Sequence, residues 1–131
     1  MSIRIADSLD GITGEALKRF YADSDFDNGR TPQQYLTAFL NSMVALAFDG
    51  ERLVGVARAI TDGVRCAAIF DVCVLPSYRG RGIATRLMRS LIGALRGQFV
   101  VLKCDQSLRQ MYGEFGFAPL RPDDVALAIP D

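Results

Sequence analysis

The sequence contains no histidine and no tryptophan, and only three of its 131 residues are cysteine. Without histidine the chain lacks the commonest general base and the commonest metal ligand, so no metal site is expected. Every nucleophilic mechanism that depends on a Ser–His or Cys–His pair is excluded as well. Cys66, Cys73 and Cys104 form no C-x-x-C pair, and an odd count argues against a disulfide framework, so they read as reduced thiols. Fifteen basic residues against fifteen acidic ones leave no net charge. A general attraction to nucleic acid or to an anionic membrane therefore has no electrostatic support. No apolar run approaches the roughly 18 residues of a membrane span, and no basic, apolar, small-residue signal opens the chain, so the cytoplasm is the expected location.

Half the residues are apolar and under a quarter are charged, the balance of an ordinary globular chain. The length suits one domain, residues 1–131, and no repeat, linker or low-complexity segment divides it. Ser2 to Ala6 reads as a short strand, and Ile12 to Ala22 as a helix with Leu17, Phe20 and Tyr21 on one face. Thr31-Pro32-Gln33-Gln34 pairs an N-cap threonine with proline at the first helical position and glutamine three residues after the cap, opening a second helix that runs to about Asn41. Val44–Phe48 and Leu53–Thr61 are strands joined at Asp49-Gly50, and Asp62-Gly63 turns the chain into a third, from about Arg65 to Val74. Ile83, Leu87, Leu91 and Leu95 mark a long helix closed by Gly97, followed by a strand from Phe99 to Lys103 and a short helix from Leu108 to Phe115. Ala118 to Ile129 is expected to return as a β-hairpin, or as one edge strand and an irregular segment. This order predicts an α/β or α+β sandwich around a mixed, mostly antiparallel sheet of about six to seven strands with about four helices.

The segment richest in chemistry is Ile69-Phe-Asp-Val-Cys-Val-Leu-Pro-Ser-Tyr-Arg-Gly-Arg-Gly-Ile-Ala84. It is an apolar strand, a proline turn, and a loop of alternating Arg and Gly that opens into a helix. A helix start leaves N–H groups unpaired and carries partial positive charge, so this is the build of an anion site, most simply for a phosphorylated cofactor. Gly80 and Gly82 let such an anion approach the backbone. The Gly-Lys-Ser/Thr ending of a Walker A loop is absent, as is the three-glycine dinucleotide fingerprint. The alternative is a Gly-rich turn that only caps the helix.

Arg79-x-x-Gly82-x-Ala84 resembles the acetyl-CoA pyrophosphate loop of the GNAT superfamily of N-acetyltransferases. Val72-x-Val74-x-Pro76-x-Tyr78-Arg79-Gly80 is similar to that family's fourth strand and its exit, Met111–Phe117 to its Y-x-x-x-G-F ending, and Phe48–Arg58 to its hairpin of strands two and three. The resemblance implies a GNAT-like fold and an acetyl-CoA-dependent transfer of acetyl directly to a primary amine, with a small-molecule acceptor favoured by the short chain. A protein lysine or N-terminal amine, or a non-catalytic acyl-CoA-binding sensor module, stands beside that reading.

By the same resemblance, the cofactor would lie on Arg79, Gly80, Arg81, Gly82, Ile83, Ala84 and Thr85 and along the backbone of Val72, Cys73 and Val74, where the strand carries a bulge and splays from its neighbour. The side chains of Val72 and Val74 also read as plain core, and direct transfer gives Cys73 no nucleophilic task. Tyr112 aligns with the tyrosine that protonates the departing thiolate, a task that suits a phenol of pKa about 10 beside a thiol of about 8.5, although it could be a core aromatic. Asp71 is a charge inside an apolar run, which fits a base near the acceptor as well as an ion pair with Arg58. Asp105 is a second base candidate or a helix N-cap. Lys103 stands where the glucosamine-phosphate members carry an acidic residue, which argues against that substrate. Asp23, Asp25 and Asp27 surround Phe26 in the first interhelical loop, so Phe26 and Asp27 are candidate acceptor contacts, or the loop is a solvated turn. Arg121, Asp123 and Asp124 could line the other side. Sheet-edge dimers are common in that family, and the apolar terminal segment would permit a homodimer.

Overall fold

The computed structural model describes residues 2–131. One sheet of five strands runs in the order β1 (Ile3–Ala6), β2 (Met43–Asp49), β3 (Arg52–Thr61), β4 (Cys66–Val74), β5 (Phe99–Leu102). The first three pairings are antiparallel and β4–β5 is parallel. Four helices accompany it: α1 (Gly14–Ser24), α2 (Pro32–Leu40), α3 (Ile83–Ala94) and α4 (Arg109–Gly113). The mixed, mostly antiparallel sheet and the helix number match expectation, but the sheet has five strands rather than six or seven.

The missing strands are those expected of Ala118–Ile129, which forms neither hairpin nor strand. Pro119, Pro122 and Pro130 deny the segment ladder donors, and Val125, Leu127 and Ile129 stay exposed.

β2 and β3 are buried almost end to end because helices cover both faces of the sheet, which is why they read as continuous apolar runs rather than alternating ones. On one face α3 packs its Ile83 and Leu87 so closely that a Cβ on Gly55 would stand 3.0 Å from Leu87 and 3.3 Å from Ile83. On the other lie α1 and α2, whose Tyr21 and Tyr35 rings stack at 4.5 Å and whose Phe39 meets Tyr21 edge to face. The Thr31–Gln34 capping box is formed reciprocally, with Pro32 at the first helical position. α3 ends at Ala94 with Leu95 as its C-cap, two residues earlier than the sequence suggests, and Gly97 supplies a left-handed residue just beyond.

Two irregularities position the site. The β3–β4 register shifts between Arg58 and Ala59, so that Asp71 faces Arg58 while Ile69 faces Ala59, and Phe70 is the extra residue of a β-bulge. The parallel pairing of β4 with β5 covers only Cys66–Ile69 against Phe99–Leu102. From Phe70 onward β4 has left β5, and among the described residues Asp71–Val74 pair with β3 alone.

Candidate functional site

The loop that follows β4 is held by side chains from three directions. Tyr78, at the end of a short 3-10 turn (Pro76–Tyr78), donates its hydroxyl to Asp49 on the β2–β3 hairpin, with the guanidiniums of Arg52 and Arg81 5.7 and 5.5 Å from its ring. Arg79 turns back, donating from Nε to the carbonyl oxygen of Val74 at 2.9 Å and from a terminal nitrogen to that of Ser24 at 3.2 Å. Its guanidinium also sits 6.0 Å from the ring of Phe26. The first residue of the Arg-x-x-Gly-x-Ala pattern thus ties the α1–α2 loop to the end of β4.

Gly80 and Gly82 both have φ near +78°, and a Cβ on either would meet nothing within 4 Å. Their need for glycine is therefore conformational, and the space beside them is open. Gly82 is the N-cap of α3 and offers no side-chain acceptor, so among the described residues no side chain caps the leading N–H groups at Ile83, Ala84 and Thr85. Open space, uncapped donors and nearby arginines fit a pyrophosphate.

Upstream, Asp71 and Cys73 share the face of α1 and α2, since they lie opposite Arg58 and Val56, whereas Val72 and Val74 lie opposite Ala57 and Gly55 on the α3 side. Cys73 is buried, and its thiol is pushed up to about 12 by burial, with the charge of Asp71 adding to the rise. That removes it as a nucleophile at neutral pH. Asp71 accepts from Arg58 Nε at 2.6 Å and from the Tyr21 hydroxyl at 3.1 Å, both on Oδ2. The expected Arg58–Asp71 ion pair is therefore formed, and Ser42 Oγ completes it by accepting from Arg58 at 3.2 Å. The Tyr21 phenol is driven well above its ordinary pKa by burial and by the adjacent carboxylate.

Tyr112 sits in α4 with its ring buried and edge to face with Phe117. Its ionisation is pushed above the ordinary phenol value, by burial first and then by the sulfurs of Cys104 and Cys73. Asp71 and Cys73 lie on one stretch of β4, and the charge of Asp71 is felt at the Cys73 thiol, whereas Tyr112 comes from α4. Tyr112 also lines an open cavity of about 520 Å³ between β5 and residues 118–126, with Asp105, Arg109, Arg121 and Asp124 in its walls. Asp105 occupies the cap position of a 3-10 turn (Gln106–Leu108) but makes no side-chain cap bond.

The acceptor loop is more self-contained than its composition suggests. Asp27 is held by Lys18 at 3.0 Å, by the Tyr35 hydroxyl at 2.8 Å and by the N–H of Gly29 at 3.1 Å, and the Lys18 bond foremost lowers its pKa. Phe26 remains half exposed over Arg79. Sequence reasoning missed Tyr21 and Phe70. Tyr21 carried no signal apart from its place on the apolar face of α1. Phe70 did: an aromatic directly beside Asp71 breaks the alternation of β4 and marks the bulge.

The model of the acetyltransferase (GNAT) family matches residues 12–117. A histone acetyltransferase of Glycine max is 36% identical over 70 residues, 51% of this chain and 30% of that protein. A chloroplastic serotonin N-acetyltransferase of Oryza sativa subsp. japonica is 38% identical over 77 residues, 56% of this chain and 38% of that protein. The chain spans about a third of the length of these curated relatives. Among solved structures, a GNAT-family acetyltransferase of Streptococcus pneumoniae TIGR4 superposes with a TM-score of 0.82 at 26% identity, covering 99% of this chain and 98% of that one. Glucosamine-6-phosphate N-acetyltransferase of Arabidopsis thaliana shares the fold, with a TM-score of 0.74 at 13% identity over 97% of this chain and 99% of that one. With its splayed strands, its open glycine loop at the start of α3 and a family match from residue 12 to 117, the chain belongs to the GNAT acetyltransferase family.

Proposed function

We propose that this chain transfers acetyl from acetyl-CoA directly to a primary amine of a small molecule. The observation that carries the reading is the open Gly80–Gly82 loop following directly on the stretch of β4 that has parted from β5, with Asp71 on that stretch.

Bound acetyl-CoA supplies the activated acetyl thioester. The N–H groups of Gly82 to Thr85 hold its pyrophosphate, with Arg79 and Arg81 alongside and the Thr85 hydroxyl within the first turn of α3. The backbone of Val72, Cys73 and Val74 is the edge for the pantetheine arm, and an N–H of that stretch donates to the thioester oxygen as charge develops there. Asp71 holds the amine and accepts its proton, directly or through a water. Tyr112, kept protonated by burial, donates to the departing sulfur.

The names of the relatives do not select the acceptor, since they include a histone and a serotonin acetyltransferase. The test is mass-spectrometric detection of acetylated product from a panel of monoamines, polyamines, aminoglycosides and lysine peptides, with Tyr112→Phe in parallel. We expect turnover with one class, lowered about 10²-fold or more in the variant. CoA binding without transfer to any of them would favour the sensor reading, and ping-pong kinetics would overturn direct transfer.

A further inference from the structure

The bulge at Phe70 changes which side chains stand beside Asp71. In a regular strand Phe70 would point to the opposite face from its neighbour. Here the guanidinium of Arg58, bonded to Asp71 at 2.6 Å, is also 5.7 Å from the centroid of the Phe70 ring, so consecutive residues of β4 share one side. Phe70 is 60% exposed there, an uncovered aromatic directly next to a carboxylate. Both donors that reach Asp71 use Oδ2, so among the described residues Oδ1 accepts from no protein group, and the side chain is about a third exposed.

We infer that Phe70 and Asp71 form the acceptor subsite and that it takes a primary monoamine carrying an aromatic or similarly flat apolar body. This rests on the acyltransferase reading and names its substrate class. The ammonium meets Asp71 Oδ1, and the apolar body lies against the Phe70 ring. Cation–π attraction supplements both contacts as the amine passes the ring. Arg58 sets the selectivity. Its fixed positive charge, itself held by Asp71, Ser42 and the ring of Phe39 at 6.0 Å, repels a second cation on the ligand. Polyamines, aminoglycosides and lysine-rich peptides are disfavoured for that reason.

Binding and turnover are measured separately so that the two readings can fail separately. The chain has no tryptophan, so the indole fluorescence of tryptamine reports binding without a tryptophan background. With the protein saturated with CoA, which carries no acetyl group, we expect tryptamine to bind and Phe70→Ala to weaken it at least tenfold. Phe70→Tyr should restore most of that affinity, and Asp71→Asn should weaken binding similarly. Spermidine should compete poorly with the native protein and improve in Arg58→Gln. Thermal melting controls for folding, and the exposure of Phe70 makes Phe70→Ala a mild change. Absence of tryptamine binding to the native protein, or equal affinity in Phe70→Ala, overturns the subsite. If tryptamine binds through Phe70 but acetyl-CoA then yields no N-acetyltryptamine, the subsite stands and the acyltransferase reading falls. If product forms with an unchanged KM in Phe70→Ala, the reverse holds.

Discussion

Arg79 donates a hydrogen bond to the carbonyl oxygen of Ser24 across 55 positions of sequence. A single guanidinium thereby joins the loop expected to receive the cofactor to the last residue of α1, beside the ring of Phe26 in the loop that follows. A hydrogen bond from a charged donor contributes about 1.5–3 kcal/mol, so Arg79→Ala should lower stability by roughly that amount in urea unfolding. The same variant should speed amide exchange in residues 24–30 and raise the KM for acetyl-CoA. Arg79→Lys keeps the charge but not the fork, and should recover little of the exchange protection.

Two glycines should respond to alanine with opposite signs. A Cβ on Gly14 would stand 2.4 Å from the carbonyl oxygen of Pro32, a backbone atom that cannot rotate away, so α1 and α2 must separate. Gly14→Ala should cost about 1–3 kcal/mol or more. Gly93 lies in exposed helix with nothing within 4 Å of its Cβ position, and Gly93→Ala should stabilise by about 0.5–1 kcal/mol. Denaturant midpoints for the pair test the α1–α2 contact directly.

All four tyrosines resist ionisation in the folded state. Burial leads for Tyr21, Tyr35 and Tyr112, and the hydrogen bond to Asp49 leads for Tyr78. Because the folded values lie above the unfolded one, the native state favours the neutral phenol. Its stabilising effect is complete below about pH 10 and is lost as pH rises beyond it, since only the unfolded chain then releases protons. Phenolate absorbance of the native protein should therefore rise at higher pH than that of the unfolded chain. Titration of even one tyrosine near 10 before unfolding would contradict this.

Cys66 and Cys104 are exposed and Cys73 is buried with its thiol raised to about 12. A thiol reagent at neutral pH should modify two groups in the native protein and the third only after unfolding. Activity assays that count liberated CoA with such reagents will carry that protein background, so product detection is the sounder readout.

The sequence made legible whatever is governed by local chemistry. The Thr31-Pro32-Gln34 start of α2, the turns at Asp49-Gly50 and Asp62-Gly63, and the Arg-Gly loop into α3 each depend on residues within a few positions of one another. Asp71 stood out because one charge in an apolar strand needs a partner or a purpose, yet the choice of Arg58 and Tyr21 as partners depends on a register shift and a helix docked 50 positions away. The tail reads as belonging to a sheet edge, as a hairpin or as one strand and an irregular segment, and its three prolines suit an edge without securing a ladder. Val125-Ala126-Leu127-Ala128-Ile129 has the period of a strand, but the outer edge of β5 has no ladder with it. The self-satisfied Asp27 was equally out of reach, because acidic loops look the same in sequence whether their oxygens face solvent or a neighbouring lysine and tyrosine.

The cavity beside Tyr112 owes one wall to residues 118–126, and among the described residues no side chain beyond Phe117 belongs to the core or packs on it. The free energy that keeps this wall in place is thus separate from the free energy that keeps the domain folded. It can open by a local equilibrium while every strand and helix stays intact. How often water reaches the phenol of Tyr112, and with it how well the proton is conserved for the transfer proposed above, follows the tail rather than the melting temperature of the protein.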